Sequence, residues 1–96
     1  MGTIEAVCIS TQKGTQKRPV AVGQFAADWG IEGDAHAGHW HRQVSLLSLE
    51  KIEAFRRRGA QVAYGAFGEN LVVNGIDFSS LPVGTLLQCG DVLLEM

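Results

Sequence analysis

A mainly β domain with a single helix is the fold class this chain predicts, and three observations predict it. Its 96 residues suffice for one small domain and no more. Short apolar runs recur between clusters of Gly, Asn, Asp and Pro, the pattern of brief strands joined by turns. Only one segment repeats its apolar residues at helical spacing. Six or seven short strands with one helix argue a barrel or a strongly bent sheet.

Residues 3–10 form the first strand candidate, mostly apolar and bounded by polar residues. Residues 11–19 read as a loop, punctuated by Gly14 and Pro19. A second strand is expected over 20–25, where Gly23 suggests a bulge or bend. A glycine-rich loop follows, and residues 44–47 make a short third strand leading into the helix. That helix is expected over 49–58, with Ser48 as N-cap and Glu50 in the first turn, where the helix dipole favours an anion. Leu49, Ile52 and Phe55 form one apolar stripe. Arg56, Arg57 and Arg58 occupy the last turn, where cations are favoured, and Gly59 supplies the stop. Residues 61–64 suggest a short extended piece, and 65–70 a second glycine-flanked polar loop. Leu71, Val72 and Val73 read as a strand ending at Asn74-Gly75, a dipeptide favoured in hairpins. Residues 85–88 and 92–96 read as a hairpin around Cys89, Gly90 and Asp91.

The composition excludes several classes of function. Apolar residues at 46% and charged residues at 19% describe an ordinary globular chain rather than a disordered one. A net charge of −2 gives no electrostatic case for nucleic-acid binding. No apolar stretch approaches the roughly 20 residues that a membrane span needs. The N-terminus lacks the charged and apolar regions of a signal peptide, so a cytoplasmic location is expected. Cys8 and Cys89 are then expected as reduced thiols, Cys8 inside an apolar run and Cys89 at a turn.

The chemistry concentrates in Gly30-Ile31-Glu32-Gly33-Asp34-Ala35-His36-Ala37-Gly38-His39-Trp40-His41-Arg42-Gln43, which holds all 3 histidines. Glycines allow positive φ and close approach to a ligand, so the segment reads as a site. His36, His39 and His41, with Asp34, offer donors that zinc accepts, but their spacing is not that of a standard zinc motif. The alternative is one histidine orienting a backbone group or the Asp34 carboxylate, with the other two on the surface. Lys17, Arg18 and Arg42 are the cations nearest the loops, suited to phosphate or carboxylate contact. Lys17 and Arg18 read equally well as a solvated loop, whereas Arg42 lies beside the site loop, just ahead of a strand. Glu69 and Asn70 form a third element: Asn70 can hydrogen-bond a heterocycle, and Glu69 can instead accept backbone N–H groups in a tight turn. No nucleophile–base pair declares itself.

These residues also carry a resemblance. Residues 30–38, then Arg42-Gln43-Val44-Ser45-Leu46-Leu47, resemble the signature of MOSC domains, relatives of the C-terminal domain of molybdenum cofactor sulfurase. The likeness continues through 65–71 and 81–84 to Gly90-Asp91-Val92, covering nearly the whole chain in order. It is nearest to the small stand-alone bacterial type. The resemblance implies a β-barrel of the MOSC, or pyruvate-kinase barrel, type with one or two short helices. It implies a molybdenum cofactor (a molybdopterin with a terminal phosphate) and either sulfur chemistry or molybdenum-dependent reduction. Asp34, His36, Arg42, Glu69 and Asn70 would line the cofactor site: the first two as a polar pair, Arg42 as the anion contact, the last two as the opposite wall. The family cysteine, proposed to carry sulfur or ligate molybdenum, lies just beyond the strand matching 92–96, and neither Cys8 nor Cys89 matches it. Residues 1–96 are therefore expected to be one MOSC-like domain, its N-terminal two-thirds. Exposed sheet edges are expected to promote self-association. The alternative is a non-catalytic module that binds a phosphorylated small molecule or a protein partner.

Overall fold

The computed structural model describes residues 2–40 and 43–96. In chain order its elements are β1 (Thr3–Ile9), β2 (Arg18–Val20), β3 (Phe25–Ala26), β4 (Gly30–Ile31), β5 (Leu46–Ser48), α1 (Leu49–Arg57), β6 (Leu71–Asn74), a 3-10 turn (Phe78–Ser80), β7 (Leu86–Cys89) and β8 (Val92–Glu95). The chain is mainly β with one α-helix among the described residues.

The principal sheet has the order β2-β1-β6-β5. β1 runs antiparallel to β2, with Val7 opposite Val20 and Ile9 opposite Arg18. It runs antiparallel to β6 on its other side, and the register shifts between Ile4 and Ala6. Glu5 is thus an extra residue in the strand, a bulge that bends and twists it. Pro19 fits because β2 is an edge strand and loses no ladder bond for want of its N–H. β5 and β6 are parallel, which requires a crossover, and α1 with the loop after it supplies one. The helix packs on both of these strands. Leu71, Val72 and Val73 of β6 are all buried, as are Cys8, Ile31 and Ile52. A central strand covered on both faces reads as an unbroken apolar run.

Several expectations shift. The run 20–25 is not one strand: the chain leaves the principal sheet after Val20 and pairs Phe25 with Ile31 in the separate β3–β4 ribbon. A Cβ on Gly23 would lie 2.7 Å from Val7 Cγ1, so glycine lets the departing chain press against β1. The glycine loop therefore begins inside a strand. Residues 61–64 form no strand; Arg56 reaches over Tyr64 and donates to the Val62 carbonyl at 3.2 and 3.0 Å. Asn74-Gly75 closes no hairpin, because a 3-10 turn follows, and the Gly75 N–H donates to Glu50 Oε1 at 3.1 Å. The helix ends as expected, with Gly59 at φ +94°, but the Ser48 side chain makes no capping bond. Phe55 is 45% exposed and meets Phe67 rather than the core, with ring centroids 5.2 Å apart. The β7–β8 hairpin forms as read, turning at Gly90 with φ +56°. Among the described residues the three sheets stay separate and no barrel closes.

Candidate functional site

The site loop is anchored to the end of β1. The Ala35 N–H donates to the Ser10 carbonyl at 2.7 Å, and the Ser10 N–H donates to Asp34 Oδ1 at 3.1 Å. Asp34 is also held from below, its Oδ2 accepting from the His36 N–H at 3.2 Å. Gly30 is obligatory at the loop's start, since φ is +122° and a Cβ there would lie 2.7 Å from the Gln43 carbonyl oxygen.

Lys17 enters this frame from the β1–β2 connection. Its Nζ lies 2.6 Å from Asp34 Oδ1 and 3.0 Å from His36 Nδ1, and the residue is 1% exposed. The ammonium has only protons to offer, so Nδ1 accepts and the His36 ring proton sits on Nε2. Burial pushes the Asp34 carboxyl upward, but hydrogen bonds from Lys17, the Ser10 N–H and Asn70, with the Lys17 charge, pull it below its ordinary value. Of the two readings of Lys17 from sequence, the solvated loop is the one corrected here. No local signal distinguishes a lysine that folds inward 17 residues from its partner.

The second glycine turn meets the same lysine from its backbone side. Glu69 Oε2 accepts from the Gly65 N–H at 2.8 Å and Oε1 from the Phe67 N–H at 3.1 Å. Gly65 has φ +93°, and a Cβ there would collide with the Lys17 carbonyl. Next to it, Asn70 Nδ2 donates to the Cys8 carbonyl at 2.9 Å, and Oδ1 accepts from the Ser45 N–H at 2.9 Å. Asn70 thereby ties β1 to the segment ahead of β5.

The structure thus gathers Asp34, His36, Glu69 and Asn70 around Lys17; Arg42 lies outside the described residues. Asp34, Glu69 and Asn70 are buried, whereas His36 is half-buried. His36 stacks on Trp40, whose indole N–H donates to the His36 carbonyl at 2.7 Å. His39 stands apart on the surface, pairing with Asp28 at 3.2 Å and meeting Trp29 edge-on. Gln43 donates to the same Asp28 at 3.0 Å, and these two hydrogen bonds lower the Asp28 carboxyl. Among the described residues, no three His, Cys, Asp or Glu side chains converge to hold a metal ion. Cys8 is fully buried, and burial, reinforced by the Glu69 charge against the opposing pull of Lys17, pushes its thiol up to about 11. It is a thiol rather than a thiolate at neutral pH, and it is sealed from solvent. Cys89 is exposed on the hairpin.

Comparison with known proteins places the molecule. The profile of the MOSC domain family matches residues 33–96, a span that opens on Gly33-Asp34 and takes in the second glycine turn and the hairpin. The chain belongs to the MOSC domain family. Neither curated proteins nor solved structures yield a match. No described helix is long and apolar enough to cross a membrane.

Proposed function

We propose that this chain binds the molybdenum cofactor through the face presented by its two glycine turns, in keeping with the family to which it belongs. The observation that carries the reading is the convergence of both turns on Lys17: its side chain holds the first turn through Asp34 and His36, and its backbone seats the second against Gly65. Separately, each turn is an ordinary loop. Together they form one preorganised polar surface.

The fit to the cofactor is divided. Hydrogen-bonding groups fixed by buried partners suit the phosphate and the polar edges of a pterin. The molybdenum finds no comparable donor set: Cys8 is sealed and protonated, and no metal-ligating cluster forms among the described residues. We therefore assign the organic part of the cofactor to this surface; the described residues offer the metal no ligand set. Within this assignment His36 is the residue that meets the ligand, because it alone of the four is not fully buried. Asp34, Glu69 and Asn70 keep the turns in place. The barrel of the family completes the same reading, with the principal sheet and the β7–β8 hairpin as parts of one wall.

The test is content of the isolated protein. Chain purified from molybdate-supplied cells, or incubated with cofactor released from a molybdoenzyme, should retain molybdenum and a pterin that fluoresces after oxidation. His36→Ala should lower the retained pterin severalfold while circular dichroism stays unchanged. A folded protein carrying neither would overturn the proposal. A second reading, a module that holds a phosphorylated small molecule without redox chemistry, is favoured by the polar hollow beside Ser10. It predicts phosphate affinity with no molybdenum.

A further inference from the structure

Beside the cluster, where β1 gives way to the connection toward β2, lies a hollow of about 350 Å³ lined by Ile9, Ser10, Thr11, Thr15, Gln16 and Arg18. We propose that this hollow is an oxyanion site that takes the phosphate group of a phosphomonoester. The residues that build it precede the span matched by the family profile.

Two independent observations point to a ligand there. The first is Ser10, which is 6% exposed and whose Oγ has no hydrogen-bond partner among the described residues. Burying a hydroxyl unpaired costs about 1–3 kcal/mol, so such a group calls for explanation. Its backbone is fixed on both sides, the N–H to Asp34 and the carbonyl to Ala35, so the side chain is presented from a rigid position. A phosphate oxygen seated against it would supply the missing partner.

The second observation is charge. Residues 6–27 contain Lys13, Lys17 and Arg18 and not one Asp or Glu, in a chain of net charge −2. The acid that reaches this region, Asp34, is already neutralised by Lys17. Arg18 is exposed and makes no ion pair or side-chain hydrogen bond among the described residues. Its guanidinium can therefore engage an oxyanion with two parallel N–H groups. Thr15 commits its own proton to the Gln12 carbonyl at 2.6 Å, which curls the connection around the hollow; Thr11 and Gln16 add further donors on the rim. An apolar occupant would leave both Ser10 and Arg18 unanswered, and a cationic one would be repelled by the Arg18 guanidinium.

The site gives the phosphate of the cofactor proposed above a place, and in that respect rests on that reading, but its test does not. Calorimetry and phosphorus NMR on the whole chain, with glycerol 3-phosphate, inorganic phosphate and sodium chloride in parallel, should show saturable binding of the phosphomonoester. Inorganic phosphate binding as tightly, with nothing gained from the ester, would make this a free-phosphate site and overturn the monoester assignment. Arg18→Gln should weaken binding at least tenfold and Ser10→Ala severalfold. Lys13→Gln, which removes the same charge outside the hollow, should change affinity less than twofold. Ser10→Ala should melt no lower than the parent, since it deletes an unpaired hydroxyl. Absence of saturable binding, or equal loss in all three variants, would overturn the site. Preferential phosphomonoester binding without retained pterin would leave this inference standing and remove the cofactor reading; retained pterin without Ser10 or Arg18 dependence would do the reverse.

Discussion

Lys17 is the residue on which the described site turns. A lysine buried this completely is stable only while paired, and Asp34 Oδ1 at 2.6 Å is its ionic partner. Removing one member leaves the other charge stranded, so Lys17→Met or Asp34→Asn should each lose about 3–5 kcal/mol. That is a large part of the 5–15 kcal/mol typical of a domain. The double variant Lys17→Met/Asp34→Asn should lose clearly less than the sum, because Asn still accepts the Ser10 N–H and neither member of the ion pair is left without its partner. Urea midpoints measure all three. The pH dependence follows from Asp34, whose carboxyl is held below its ordinary value when folded. Its contribution is fully present above the unfolded value of about 3.9 and is lost as pH falls through the lower folded value. Stability of the parent should drop in that acid window, and Asp34→Asn should flatten the drop. A drop unchanged in that variant would assign it to other carboxylates.

At the scale of elements, two turns and a strand edge are locked by backbone contact as much as by side chains. Gly65 sits at φ +93° with the Lys17 carbonyl where a Cβ would be. Gly14 has a similar φ of +83° but open space around it. The comparison separates conformational cost from collision: Gly14→Ala should lose about 1–2 kcal/mol for the left-handed backbone alone, and Gly65→Ala more, about 2–4 kcal/mol. Thermal melts of the pair decide it, and equal losses would mean that the second turn yields without disturbing Lys17. Both turns were legible as turns, because glycine and polar residues announce them locally. That Glu69 would spend both carboxylate oxygens on its own turn was one of two readings open from sequence. Only the placement of Gly65 and Phe67 N–H groups chose between them.

At the scale of the molecule, the principal sheet ends in two edges, β2 and β5, and among the described residues β7 and β8 pair only with each other. Unpaired edges offer N–H and C=O groups to another chain. Val83, Leu86 and Leu93 are exposed by 95%, 57% and 62%, adding apolar surface around the hairpin. Self-association that rises with concentration is the expected outcome, read by light scattering across a dilution series. Leu93→Glu should shift it toward monomer, and a monomer at every concentration would show that the edges are protected. The parallel pairing of β5 with β6 is not legible: the run 44–47 predicts a strand that forms over Leu46–Ser48, and 71–73 one that forms over Leu71–Asn74, but nothing in either run says which neighbour it takes.

Local sequence alone determined the β-rich character, the helix with its arginines and terminal glycine, the hairpin at Gly90 and the membership that the Gly33-Asp34 loop signals. These follow from propensity, periodicity and turn chemistry, which act over a few residues. Only the tertiary structure decided that Lys17 folds inward, that the Ser10 hydroxyl finds no partner among the described residues, and that 20–25 breaks away from the sheet. Burial and pairing depend on where distant segments return, and a charge or hydroxyl carries no mark of its partner until the chain has closed around it.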